Sequence, residues 1–348
     1  MFRFPLALSS LVTALMLPGL TQAEGTAPFA AGWQLDPTAS QIRFLSVKKS
    51  SIAETSRFAS FSGRITEGGE AEIRVQMDSV DTQIDLRNVR MRFLLFETFK
   101  FPEAVITADL TGLDLSGLTV AAPMVVALPI HVTLHGVTQS RTEKVALTLL
   151  GPDRVLVSNV DPVVMALPDF ALDGGRIKLQ EAAGVDILPF GFVSFSFLFD
   201  RTGTGQQEPV AAPAGSAALE TAGNFDREAC IGRFEILSRA GNIEFAPGSA
   251  RLTAASTPLL DNLFDIVSRC PELRVEIAGH TDADGSETEN QRLSERRAGA
   301  VLADLTRRGI PAERLIAVGY GEGRPLFAND STAHKERNRR IEFLSRDP

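Results

Sequence analysis

The 348-residue chain carries 35 Lys and Arg against 43 Asp and Glu, a formal net charge of −8 at pH 7, and 44% of it is hydrophobic. That length accommodates two domains with ordinary cores. The acidic balance weighs against a nucleic-acid partner, which needs a basic face, and against a polybasic attachment to anionic lipid.

Residues 1–23 read as a secretory signal, with Arg3 in a short positive start, an apolar run from Leu6 to Leu20, and Thr-Gln-Ala before a cleavage point after Ala23. The mature protein is therefore expected in an exported, oxidising compartment. No later run is long enough to span a bilayer as a helix. Cys230 and Cys270 are the only cysteines, so none stands beside the cleavage point to accept lipid. Each lies at the edge of an element of one domain, and the two are expected to form a disulfide.

From Trp33 to Arg201 the sequence predicts many short strands. Gln41–Val47, Ala71–Met77, Leu128–Gly136, Val145–Gly151 and Phe192–Asp200 all alternate apolar and polar residues. Glu67-Gly68-Gly69, Gly151-Pro152-Asp153 and Asp173-Gly174-Gly175 read as turns between them. Asp85–Pro102 reads as a helical excursion. The expectation is an all-β antiparallel barrel with a helical insertion. His131 and His135, four apart, are predicted to share a strand face, but no third ligand is near and no metal site is expected.

This region resembles the YceI-like family on WQLDPTAS (Trp33 to Ser40), FASFSG (Phe58 to Gly63), DSVDT with RNVRM (Asp78 to Met91), KFP (Lys100 to Pro102) and LHGVT (Leu134 to Thr138). It departs from the family pattern at Ala39 and Asn88. The resemblance implies a lipocalin-like barrel over residues 33–201 enclosing a bound isoprenoid or fatty-acyl lipid. The alternative is an interior simply filled by side chains, which a barrel of about eight strands permits. A membrane-spanning barrel is disfavoured by a single Trp and a single Tyr, too few for aromatic girdles, and by strands that read as short.

Residues 202–225, rich in Gly, Ala, Pro, Gln and Glu, read as a flexible linker between two independently folded units. The second unit, 226–348, is expected to begin with a strand and loop from Phe234 to Thr253, followed by a helix opened by Thr257-Pro258. Leu273–Ile277 then alternates as a half-buried strand, and Ser286 with Glu289 has capping-box spacing for a helix ended by Gly309 and Pro311. Leu315–Tyr320 and Arg340–Leu344 are the last predicted strands. At the helical period Leu293, Arg297, Val301 and Leu305 share one arc, whereas Arg292, Glu295 and Arg296 face solvent. A guanidinium on the core side must find a partner. The residues alone leave two readings open, an internal Asp282–Arg297 salt bridge or a clamp for a zwitterion.

GHTDADGS (Gly279 to Ser286), N-x-x-L-S-x-x-R-A (Asn290 to Ala298), GYGEGRP (Gly319 to Pro325) and NRRIEF (Asn338 to Phe343) resemble the OmpA C-terminal-like, peptidoglycan-binding domain. The resemblance implies an α/β sandwich of order β-α-β-α-β-β. It also implies that Asp282 holds the amino group and Arg297 the carboxylate of diaminopimelate, with Thr281, Asp284, Gly285, Ser286, Asn290 and Leu293 around them. Arg339 and Arg340 are expected to be structural supports. No G-x-S-x-G elbow, Cys–His pair or metal constellation is present, so the expected protein is a non-enzymatic periplasmic one without cofactor, associated with the cell wall and near the outer membrane. The alternative is an envelope scaffold whose barrel binds a protein or inserts in the outer membrane.

Overall fold

The computed structural model describes residues 28–29, 31–203, 223–240 and 243–346. The signal reading for 1–23 and most of the linker reading for 202–225 lie outside them. The first part comprises β1 (Trp33–Leu35), β2 (Gln41–Lys48), β3 (Ile52–Phe58), β4 (Phe61–Ile65), β5 (Glu70–Gln76), β6 (Val80–Asp81), β7 (Glu103–Asp109), β8 (Met124–Leu134), β9 (Val137–Gly151), β10 (Arg154–Asn159), β11 (Val163–Ala166) and β12 (Ile187–Arg201). The pairing runs β1-β4-β5-β7-β8-β9-β10-β12, and β12 returns to β1, closing an antiparallel barrel of eight strands. Alternation dictates the two faces. Phe197 and Phe199 of β12 are buried in the interior, and Val193 and Phe195 pack against the same cluster.

Strand length departs from the expectation: β8 has 11 residues and β9 and β12 have 15 each. Length therefore no longer weighs against a membrane crossing. The outward residues of β9 do, because Thr138, Ser140, Thr142 and Lys144 are exposed and polar where a lipid-facing strand is apolar. The predicted His pairing also fails. His131 lies on β8 and bonds Ser140 Oγ at 2.9 Å, whereas His135 sits in the following turn at φ 52° with Nε2 3.1 Å from Glu97.

The helical excursion is α1 (Asp85–Arg90), which runs directly into a π-helical turn, Met91–Leu95. Asn88 fixes its entry, accepting hydrogen bonds from the Thr82 amide and hydroxyl, both at 2.7 Å. Asp173-Gly174-Gly175 is not a turn between strands. It opens α2 (Asp173–Ala183). A Cβ on Gly175 would stand 2.5 Å from the Leu94 carbonyl oxygen, so the glycine permits close packing of α2 on the π-turn rather than a reversal of the chain.

The second part contains α3 (Arg227–Ala240), α4 (Thr257–Ser268), β13 (Arg274–Gly279), α5 (Glu287–Arg307), β14 (Leu315–Gly319), α6 (Thr332–Asn338) and β15 (Ile341–Arg346). Its sheet is β14-β13-β15, parallel between β13 and β14 and antiparallel between β13 and β15. The strand expected from Phe234 is helix as far as Ala240. Cys230, Phe234, Leu237 and Ala240 recur at helical spacing and are all buried. A single bridge, Phe245 to Leu252, occupies the place of that strand among the described residues. The disulfide joins Cys230 of α3 to Cys270 just beyond α4.

The two units are docked. Val89, Phe93 and Leu94 of the excursion belong to the same buried cluster as Cys230, Phe234 and Leu237 of α3. Arg233, only 1% exposed, pairs with Asp85 across this contact and lies 3.7 Å over the Phe225 ring. A Cβ on Gly232 would meet Leu86 at 2.9 Å. Meanwhile Met91, Leu95 and Phe96 pack into the barrel cluster. One excursion thus has an apolar face for each unit, and the two units lie in contact.

Candidate functional site

The loop between β13 and α5 is held by close approach and by buried polar contacts. A Cβ on Gly279 would fall 2.3 Å from the Ser294 carbonyl oxygen, and one on Gly319 2.4 Å from the Glu295 nitrogen, so the two strand-end glycines let α5 lie directly on the sheet. The Thr281 amide donates to Gly321 O at 2.9 Å, and the Gly321 amide to Ser294 Oγ at 2.9 Å. Asn290 draws the loop onto the helix start. Its Nδ2 donates to Asp282 O (3.2 Å), Asp284 O (3.1 Å) and Glu322 Oε2 (2.6 Å).

Ser286 caps α5 as its spacing predicts, accepting from the Glu289 amide at 3.3 Å and donating to Glu289 Oε2 at 3.0 Å. Gly285 precedes it at φ +100°, a conformation that suits glycine. The Asp284 amide is occupied, donating to Asp282 Oδ1 at 3.0 Å, and the Asp284 carboxylate accepts from Lys335 at 2.7 Å. Arg292, Glu295 and Arg296 are exposed, as the helical period predicts, and Leu293 is half-buried.

Neither an Asp282–Arg297 salt bridge nor two free partners is found. The Asp282 side chain, 8% exposed, pairs with Arg339, which is itself 41% exposed. Arg297 donates from Nε to Ser249 O at 3.0 Å and lies 5.1 Å over the Phe245 ring. Among the described residues no carboxylate comes within ion-pair distance of it. Burial pulls the Arg297 pKa below the ordinary guanidinium value, Arg339 adds to that by like-charge repulsion, and Asp282 partly opposes both. The Thr281 hydroxyl is buried beside these groups without a hydrogen-bond partner.

Arg340 is the structural support that was expected, bonding Glu342 at 2.7 Å and the Asn338 and Arg324 carbonyls. Arg339 is not. It reaches into the site because β15 lies antiparallel to β13, so that the His280 amide meets Arg340 O at 3.0 Å. The sequence signal was the unbalanced charge of a buried Asp282, but its partner lies 57 residues away. Beneath the loop His280 stacks on Tyr320 and places Nε2 3.4 Å from Glu342 Oε2, near enough for ion pairing although outside hydrogen-bond alignment. His280 and, behind it, Arg340 hold the Glu342 carboxyl down at about 2.

The barrel contains a second candidate site, a cavity of about 510 Å³ walled chiefly by apolar side chains such as Phe44, Phe58, Ile73, Val145 and Phe195. The interior is therefore not simply filled. Its volume lies in the range of small-molecule sites. Among the described residues no group of three His, Cys, Asp or Glu is placed to hold a metal, and no helix is long and apolar enough to cross a membrane.

Comparison with known proteins agrees with this division. Outer membrane porin F of Pseudomonas fluorescens is 46% identical over 81 residues, covering 23% of this chain and 25% of the porin. Peptidoglycan-binding protein ArfA of Mycobacterium tuberculosis is 36% identical over 104 residues, 30% of this chain and 32% of that protein. The chain thus spans a third or less of these relatives. A solved polyisoprenoid binding domain from Saccharophagus degradans is 34% identical, with 49% of this chain and 98% of that one covered and a TM-score of 0.46. The family models match at residues 33–191, as a YceI-like domain, and at residues 244–339, as the OmpA family. The chain joins a YceI-like barrel domain to an OmpA-family domain.

Proposed function

We propose that the OmpA-family domain binds peptidoglycan by clamping the zwitterionic end of diaminopimelate between Asp282 and Arg297. The observation that carries this reading is a half-buried arginine with no carboxylate at ion-pair distance among the described residues. Arg339 raises the energy of the Arg297 charge by like-charge repulsion, and Asp282 partly offsets it. A ligand carboxylate entering beside Arg297 relieves that repulsion through a bidentate fork. Asp282 accepts from Arg339 and from the Asp284 amide, which leaves lone-pair capacity for an ammonium. Thr281, Gly285 and Ser286 line the approach, while Asn290 and Leu293 hold it in shape. The relative named for peptidoglycan binding supports the same reading.

Calorimetric titration with two muropeptides, identical except for diaminopimelate or lysine at the third position, tests it. Lysine lacks the second carboxylate, and its loss is expected to weaken binding by roughly 30-fold or more. Equal affinity would overturn the clamp.

The barrel, in the same proposal, carries a long apolar chain of isoprenoid or fatty-acyl type. The protein then serves as a non-enzymatic envelope component in the periplasm, attached to the cell wall on one side and loaded with lipid on the other. The cavity supports this, and native mass spectrometry of the full chain checks it. A lipid-sized adduct is expected, and a bare polypeptide mass after mild extraction would contradict it.

A further inference from the structure

Beside the Asp282–Arg297 site lies a cleft of about 1120 Å³ that both units wall. Arg339, the partner of Asp282, lines it, and so does Glu244, next in sequence to the Phe245 whose ring lies under Arg297. The cleft therefore adjoins the clamp. From the first unit Glu97, Lys100, Lys178 and Glu181 reach its wall. A ligand held at Asp282 and Arg297 thus has side chains from outside the OmpA-family domain close by.

The carboxylates around Lys178 are already engaged. Glu97 faces His135 at 3.1 Å and Lys100 at 3.6 Å, and Glu181 lies 3.8 Å from Arg337 of α6. Across the cleft Glu235 pairs with Arg239 at 2.9 Å and Glu342 with Arg340 at 2.7 Å. Lys178 itself has no carboxylate within ion-pair distance among the described residues, and its Nζ donates to the Ala240 carbonyl at 3.4 Å. Desolvation pulls the Lys178 pKa below the ordinary lysine value, Glu97 and Glu181 oppose that, and Lys100 and Arg337 add to it. An ammonium withdrawn from water and given one long bond to a carbonyl is held at a cost that an entering anion would remove.

Peptidoglycan supplies such an anion. The stem-peptide residue before diaminopimelate is a glutamate joined through its side chain, which leaves its α-carboxylate free. With the diaminopimelate end fixed at Asp282 and Arg297, the rest of the stem peptide must leave along a neighbouring surface, and the cleft is a concave one that adjoins. We propose that this cleft is the subsite for the stem-peptide residues before diaminopimelate, with Lys178 of α2 meeting the glutamate α-carboxylate and Lys100 beside it. The proposal rests on the clamp reading and adds to it a specificity contact from the barrel unit, so that the docking of the two units becomes part of the recognition.

Calorimetric titration of the full chain with two disaccharide tripeptides tests the subsite. Both carry diaminopimelate, and they differ only in glutamate or isoglutamine at the second position, a carboxylate against a neutral amide of the same shape. The glutamate form is expected to bind roughly fivefold tighter. Lys178→Gln should remove that preference, and Lys178→Arg should keep part of it. Loss of the ligand carboxylate and loss of the ammonium should be non-additive, the two together costing no more than either alone. If the wild-type protein binds both forms alike, the subsite is overturned, and a retained preference for diaminopimelate over lysine then leaves the clamp standing. If Lys178→Gln weakens both forms equally, the lysine serves docking alone and the subsite is likewise overturned. If the diaminopimelate and lysine forms bind alike, the clamp falls and the subsite with it.

Discussion

In the barrel an apolar wall surrounds a cavity of about 510 Å³, whereas in the OmpA-family domain a buried Asp282, paired with Arg339, and a half-buried Arg297 sit on a hydrogen-bonded loop. On the proposed reading the first arrangement suits a guest chosen by volume and apolar length. The second selects by fixed geometry, since Asn290, Ser286, Ser294 and the strand-end glycines leave the β13–α5 loop little freedom. Recognition of a flexible chain tolerates a soft wall, but recognition of a zwitterion a few ångströms across does not. The α1 excursion joins the two, with one face on the barrel cluster and the other on α3.

The largest test of this contrast removes the disulfide. Closing a 40-residue loop is expected to stabilise the C-terminal domain by about 4 kcal/mol. A Cys230→Ser, Cys270→Ser double variant should therefore lower the C-terminal transition in calorimetry while the barrel transition moves little. A common shift of both would mean that docking has merged the two into one cooperative unit.

Acid provides the next test. Glu342 is depressed from 4.5 to about 2, so its contribution is fully present above 4.5 and is lost as the pH falls towards 2. The shift corresponds to at most on the order of 3 kcal/mol. Glu342→Gln should flatten the stability of the C-terminal domain between those two pH values, as measured by denaturant midpoints. An unchanged pH profile would show that His280 and Arg340 do not hold that carboxylate.

Asn290→Ala tests the rigidity of the loop itself. Losing the donors to two carbonyls and to Glu322 is expected to cost about 2 kcal/mol. Muropeptide affinity should fall with it, although Asn290 need not touch the ligand. The smallest expected effect is at the interface, where Asp85→Ala should weaken docking by about 1 kcal/mol, because Asp85 is 42% exposed and solvent screens the pair. After cleavage at a protease site introduced between Thr202 and Asn224, the wild-type halves should co-elute, and this variant should release a larger free fraction. Complete separation of the wild-type halves would remove the docked arrangement.

Local chemistry was legible in the sequence. The Ser286 cap and the solvated face of Arg292 and Arg296 depend on neighbours within a few residues and appear where spacing puts them, and the helical excursion from Asp85 appears too but ends at Leu95 rather than at Pro102. Pairing at a distance was not. The partner of Asp282 follows from the strand order β14-β13-β15, which no local pattern encodes. Phe234, Glu235 and Ile236 alternate as a strand would, but helical burial of Cys230, Phe234 and Leu237 prevails over three residues of alternation. Gly174-Gly175 looked like a turn because glycine serves both turns and close contacts, and only the position of Leu94 decides between them. The docked face of the excursion escaped for a related reason, since Val89, Phe93 and Leu94 read equally well as barrel core.

The clamp is tested most directly by pull-down on isolated sacculi with Asp282→Ala, Arg297→Ala and Arg297→Lys, each checked for folding by circular dichroism. Both alanine variants should lose binding, by about 2 to 5 kcal/mol, because each leaves one ligand charge unpaired. Arg297→Lys should fall well short of wild type for want of the guanidinium fork, and Arg292→Ala, on the exposed face, should bind as wild type does. Folded alanine variants that still sediment with sacculi like the wild-type protein would contradict the account, for Asp282 would then serve only Arg339 and the Asp284 amide, and Arg297 only Ser249 and Phe245.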